Sequence, residues 1–435
     1  MLPIIFLILF ASFLLTSEAR PSRGIPLSSS PEPPAKEIGD TPNPWFWLHE
    51  YDGTMTRAEF TSKLEKIFDP FGGLRSYIEW SDIEVKFYSS PTDHREPQFV
   101  LSLAASPPTS YTPLYYRTPA MFRVLPKPAN KPLFGLKIAI DPGHIGGKWA
   151  EVEDRSTPYR DLGRIQEGDM NIITAKILEK NLEDLGATVL LTRHEAEPVT
   201  TIRPEDLVDE ARAYYLIKRP ELSEESIPAQ IQSIGRERLQ LRTNYLFIRK
   251  YEFLARGDEI RSFHPDITIV LYINATPSSG WSHLIGVDEN IFFIHGAYTK
   301  EEAQDPAQEL RLVYKILDRV TPVEYEVATD IAQAFTRNTG IKAVPYMDST
   351  TTRAIDPNNP YVVARNLGAN RYYDGPVVTT EPYFMNNRTI ARRLLAGDYD
   401  GEREIDGKPT RSIFREYATC VIEGLIQAYG PKTGN

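Results

Sequence analysis

The stretch Leu136-Lys137-Ile138-Ala139-Ile140-Asp141-Pro142-Gly143-His144 constrains this chain more than any other. It opens with mostly apolar residues that read as a buried strand, and the Pro-Gly turn stops that strand abruptly. His144 is therefore expected just past a strand end, and in open α/β sheets ligands bind outside the carboxyl ends of strands. Further along, Glu167 opens an amphipathic helix in which Met170, Ile173, Ile177 and Leu185 share a face. A carboxylate in the first turn of a helix is favoured by the backbone amides there. A His and a Glu brought to one sheet edge are two of the three protein ligands of an ordinary catalytic zinc site. Asp-Pro-Gly is also an ordinary turn, and a lone His beside it is commonly a hydrogen-bonded surface residue. The rest of the chain has to decide between these readings.

The surrounding pattern predicts α/β architecture. A strand over 136–140, a helix over 167–185, Gly186 as its stop and a strand over 188–192 make a βαβ unit. Residues of about 195–250 read as an insertion of mixed charge with helical segments. Helix over 253–262, strands over 266–273 and 289–295, a long helical region over 308–339, a strand over 377–380 ending at Glu381, and a terminal helix over 412–429 follow. The fold class expected is a central mixed, mostly parallel sheet flanked by helices, over about 133–430. A small α+β module precedes it over 45–125, with a helix capped by Thr56 and strands over 83–88 and 99–104. Its aromatic cluster Trp45-Phe46-Trp47 suits either core or glycan contact. A Pro-rich connector, 126–132, joins the two.

Met1 to Thr16 is almost wholly apolar and Ser17-Glu18-Ala19 follows, which reads as a secretory signal peptide cleaved after Ala19. An uncleaved anchor is the alternative, because no Lys or Arg precedes the apolar run. Residues 20–44 are rich in Pro and Ser and read as a linker. A periplasmic or secreted location follows, and a lone cysteine, Cys420, leaves no internal disulfide framework. The formal net charge of -10 argues against a general nucleic-acid binder. No Gly-x-Ser-x-Gly, Cys-x-x-Cys, P-loop or Gly-x-Gly-x-x-Gly motif occurs.

In their order, five segments resemble the zinc-dependent N-acetylmuramoyl-L-alanine amidases of peptidoglycan. These are Ile138 to His144; Glu167 and Asn171 with the helix, Gly186 and Val189 to Arg193; Phe253-Leu254-Ala255-Arg256; Asp266 to Ala275; and Thr380 to Asn387. The resemblance implies Zn2+ as cofactor, peptidoglycan as substrate, and an activator protein as a possible partner of a monomeric enzyme. It also implies His144 and Glu167 as metal ligands and Glu381 as the catalytic residue. The third ligand position is where the chain departs from the pattern: Tyr272 stands where the family has His. Three accounts follow. Tyr272 ligates the metal itself, His283 or His295 reaches in, or the site binds metal poorly. The last would make the chain a catalytically impaired wall-binding or regulatory protein on the same scaffold; another zinc amidohydrolase or peptidase is a further alternative.

The chemistry can be argued without the family. Amide hydrolysis needs a polarised carbonyl and an activated nucleophile, which zinc supplies, and a carboxylate to carry the proton to the leaving amine. Glu381, at a strand end and outside the ligand set, suits that last role. Glu151 and Glu153, in the loop after His144, read as solvated or as substitute ligands. Arg256 reads as a structural ion-pair former.

Overall fold

The computed structural model describes residues 43–108, 111–159, 161–217, 235–276, 282–343 and 349–432. The expected leader, nearly all of the linker and part of the insertion lie outside the described residues.

Thr56 starts the first helix, α1 (Arg57–Lys63), by accepting a hydrogen bond from the Glu59 N–H at 3.2 Å. Strands β1 (Ile78–Trp80), β2 (Glu84–Phe87) and β3 (Phe99–Ser102) form an antiparallel sheet beside it. Val85, Phe87, Phe99 and Leu101 alternate inward against Trp45, Trp47 and Phe60. Trp45 and Trp47 are thus core residues, and only Phe46 of the aromatic cluster is exposed. This core continues into the rest of the chain: it takes in Leu310, Val313, Tyr314 and Leu317, and the Trp47 ring meets Tyr314 edge-on at 4.8 Å.

Among the described residues the main sheet has seven strands. In chain order they are β4 (Lys137–Pro142), β7 (Thr188–Leu191), β8 (Ile267–Leu271), β9 (Ile291–Ile294), β10 (Arg353–Ala354), β11 (Val362–Ala364) and β12 (Val377–Glu381). The hairpin β5 (Ser156–Tyr159) and β6 (Gly163–Gln166) lies outside it. Across the sheet the order is β10-β11-β9-β12-β8-β4-β7. The run β12-β8-β4-β7 is parallel throughout, whereas β9 meets β12 antiparallel and β10 meets β11 antiparallel. The sheet is mixed and mostly parallel, as the pattern of elements predicts.

Strand alternation sets the two covering layers. Ile138, Ile140, Ile267, Ile269 and Leu271 point to one face. There they bury Leu178 and Leu182 of α2 (Glu167–Asp184), with the helices Val320–Thr339 and Ile413–Tyr429 completing the layer through Val327, Ile331, Val421 and Leu425. Ala139 and Val270 point to the other face, against Phe253, Ile260 and Tyr373. The last two helices of the first layer touch through Gly424, where an added Cβ would lie 2.5 Å from the Ile331 Cα. Gly424→Ala is expected to lower stability by about 1–3 kcal/mol, read as a lower melting temperature.

Two findings differ from the sequence reading. The helical region over 308–339 is two helices, Pro306–Leu317 and Val320–Thr339, broken at Arg319, whose backbone is left-handed (φ 55°) and whose guanidinium is held by Glu59 at 2.9 Å. The strands β10 and β11 and the hairpins β5–β6 and Glu402–Ile405 with Lys408–Arg411 carry no expectation, because they are short or largely polar and show no apolar period. The insertion supplies α3 (Val208–Ile217) and α4 (Arg236–Leu246). Leu207, Ala211, Leu246 and Phe247 pack on Ile145 and Trp149, so it rests on the loop that follows His144. Among the described residues no helix is long and apolar enough to cross a membrane.

Candidate active site

The carboxyl ends of three adjacent parallel strands build the site. Pro142 of β4 is level with Leu271 of β8, and Leu271 with Thr380 of β12. That register brings His144, Tyr272 and Glu381 to one edge, and Glu167 joins them as the first residue of α2. All four residues stand at the same end of the sheet.

A buried ionic network fixes the backbone of His144, which is itself left-handed at φ 57°. Asp141 accepts hydrogen bonds from Thr192 Oγ1 at 2.7 Å, Arg256 Nη1 at 3.0 Å and the Tyr373 hydroxyl at 2.6 Å. Arg256 also donates to Glu252 at 2.8 Å and to the His144 carbonyl at 3.3 Å. Arg193 donates to the Pro142 carbonyl at 2.6 Å and to the His144 carbonyl. Arg256 is therefore the structural ion-pair former that its sequence context suggests. Removing one partner from such a network leaves the other charge buried and unpaired. Asp141→Ala should cost about 3–5 kcal/mol, measured by chemical denaturation.

Gly143 lies directly against the Tyr272 ring: an added Cβ would be 2.4 Å from its Cε1. The His144 and Tyr272 rings meet edge to face with centroids 5.0 Å apart. Around the imidazole stand three charged groups. Nδ1 is 3.4 Å from Glu153 Oε1, and Nε2 is 3.2 Å from Glu167 Oε2. Arg155 Nε donates to Nε2 at 3.1 Å and lies 3.9 Å from Glu167 Oε2. Glu153 accepts the Ile145 N–H at 2.6 Å, and Glu167 accepts the Ile273 N–H at 3.0 Å. When the ring is neutral and Nε2 accepts from Arg155, the proton sits on Nδ1, toward Glu153; when the ring is charged, Nε2 donates to Glu167. Burial works against charge on the ring, but Glu167 and Glu153 outweigh it and raise the His144 pKa. Burial would raise the carboxyls in turn. The histidine outweighs it, holding Glu153 down at about 2, and His144 with Arg155 keeps Glu167 below its ordinary range.

Glu381 has the opposite environment. It is buried, its Oε2 has no hydrogen-bond partner among the described residues, and burial pushes its pKa up to about 7 against the pull of Arg365, with the Glu167 charge adding to the rise. Two carboxyls at one sheet edge are thus held apart in proton affinity, the pattern that separates an acid–base group from a fixed charge.

Of the alternative ligands, His295 is elsewhere. It is fully buried, its Nε2 is 2.7 Å from the Tyr298 hydroxyl and its Nδ1 contacts the Asn370 carbonyl. His283 is exposed. Glu151 is exposed and pairs with Arg164 at 3.6 Å, as a solvated acid should. Glu153, by contrast, is buried behind His144. Sequence reasoning did not find its role as the orienting carboxylate, and it missed Arg155 altogether. The only sequence signal was their closeness to His144 in the chain.

The donor set can be tested against the implied zinc. His144 Nε2 and Glu167 Oε2 converge, and Glu153 stands behind the ring as the outer carboxylate that metal-bound histidines usually have. Two of these residues, His144 and Glu167, fit as metal donors. Tyr272 is a weaker third donor: a phenol must lose its proton to ligate, and burial, followed by the Asp141 charge, holds its pKa well above the ordinary value. Among the described residues no three His, Cys, Asp or Glu side chains group as a metal site.

No protein-family model matches this chain, and no curated protein does. Solved structures do match. Cwp6 from Clostridium difficile is 15% identical with a TM-score of 0.34, over 68% of this chain and 29% of that one. The CwlD amidase from Clostridioides difficile, solved in complex with the GerS lipoprotein, is 14% identical with a TM-score of 0.36, over 68% of this chain and 98% of that one. Ami1 from Mycobacterium smegmatis is 12% identical with a TM-score of 0.36, over 68% and 98%. N-acetylmuramoyl-L-alanine amidases are what this chain is similar to. The present chain thus spans under a third of Cwp6 and nearly all of CwlD and Ami1.

Proposed function

We propose that this chain is a zinc-dependent hydrolase that cleaves the amide bond between N-acetylmuramic acid and L-alanine in peptidoglycan. The observation that carries the reading is Glu381: a buried carboxylate with one oxygen unpartnered among the described residues, at the edge where His144 and Glu167 converge. His144 and Glu167, with Tyr272 as third donor, would hold zinc, which when bound would supply a Lewis acid for the scissile carbonyl. Glu381 takes a proton from the attacking water and delivers it to the departing α-amine of alanine. Glu153 keeps the imidazole in one tautomer, and the arginine-clamped backbone keeps its orientation. Export to the wall, action as a single copy and dependence on an activator protein belong to the same reading.

Digestion of purified sacculi by the zinc-loaded protein should release stem peptides bearing a free alanine α-amine, read by mass spectrometry. Two observations favour a second reading, a wall-binding protein without turnover: Tyr272 replaces a nitrogen donor, and Arg155 already faces the convergent pair. Sacculi that retain the protein but yield no peptide would favour it.

A further inference from the structure

We infer that Arg155 is a resident cation closing the metal position, so that zinc enters only as its guanidinium leaves His144 and Glu167. This rests on His144 and Glu167 being the metal-facing pair. Arg155 Nε donates to the nitrogen lone pair that a metal would take, and it lies near the Glu167 oxygen nearest that nitrogen. A guanidinium stays charged at any ordinary pH, so it and a divalent ion repel each other there and compete for the same donors.

The backbone places it for this. Asp154 is left-handed at φ 55°, the Arg155 N–H donates to the Ala150 carbonyl at 2.7 Å, and the Arg155 carbonyl accepts the Glu167 N–H at 3.4 Å. The arginine is thereby tied both to the loop that follows His144 and to the start of the helix carrying Glu167. Its side chain is 26% exposed, whereas those of His144 and Glu167 are 8% and 5% exposed. The guanidinium has a route to solvent that leaves the buried pair in place.

Calorimetric titration of the chelator-stripped full chain with zinc chloride tests this without any substrate. Arg155→Ala and Arg155→Gln, which remove the charge, should each bind zinc at least about tenfold more tightly than wild type, the scale on which outer partners tune metal sites. Arg155→Lys keeps the charge and should stay within a few-fold of wild type. Adding His144→Ala to Arg155→Ala should abolish the gain. Neutral variants that bind no more tightly than wild type, a lysine variant that gains as much as alanine, or a gain that survives loss of His144 would each overturn the assignment. A chain that fails to cleave peptidoglycan but shows the charge-dependent gain would fail as an amidase while keeping Arg155 in this role.

Discussion

Glu381→Gln is expected to leave fold and zinc affinity intact while lowering turnover by about 10²–10⁴-fold, the usual contribution of a positioned general base. Its pH behaviour gives an independent check. The folded pKa of Glu381, about 7, lies above its ordinary 4.5. Between those values the folded state binds more protons than the unfolded one, so stability falls as pH rises through this window. The loss is absent below the ordinary value and complete above about pH 7, and its scale is roughly 3 kcal/mol. Glutamine cannot ionise. The variant should therefore melt above wild type at pH 8, with the gap closing toward pH 4. Wild-type turnover should rise with pH through about 7 as the base loses its proton. A variant that loses zinc would make Glu381 a ligand, and near-normal turnover would remove it from the chemistry.

Tyr272→His should raise zinc affinity by at least about tenfold, some 1.4 kcal/mol. Imidazole ligates while neutral, with a metal distance of about 2.0–2.1 Å, whereas this phenol is held above its ordinary pKa by burial and the Asp141 charge. The Tyr272 ring stands against Gly143 and edge-on to His144, so a shorter ring at this position remains beside the site. An unchanged affinity with a lowered melting temperature would mean that residue 272 only packs.

All strands of the main sheet but β10 and β11 were legible because they are apolar runs ended by turn residues, and two of those strand ends are where His144 and Glu381 stand. Glu167 was legible as the opening of a helix, but the face buried deepest is that of Ala175, Leu178 and Leu182, with Met170, Ile173, Ile177 and Leu185 only partly buried beside it. What the sequence could not convey was how a loop closes. Glu153 and Arg155 lie in a short polar segment with no period, and only the fold puts one behind the imidazole and the other in front of it. The same holds for Arg193 and Arg256, whose grip on the His144 carbonyl joins two separate elements. His295, a candidate by residue type, was removed by topology: its strand, β9, runs antiparallel to β12, so its end points away from the site.

The most direct test of the central claim uses a muramoyl peptide of defined sequence, incubated with the zinc-loaded chain and with its Glu381→Gln variant, with products weighed by mass spectrometry. The account predicts that wild type yields two fragments whose masses sum to substrate plus one water, one of them a peptide beginning with a free L-alanine amine, and that the variant yields them at least about a hundredfold more slowly. Intact substrate with both proteins, or cleavage at any other bond, would contradict it.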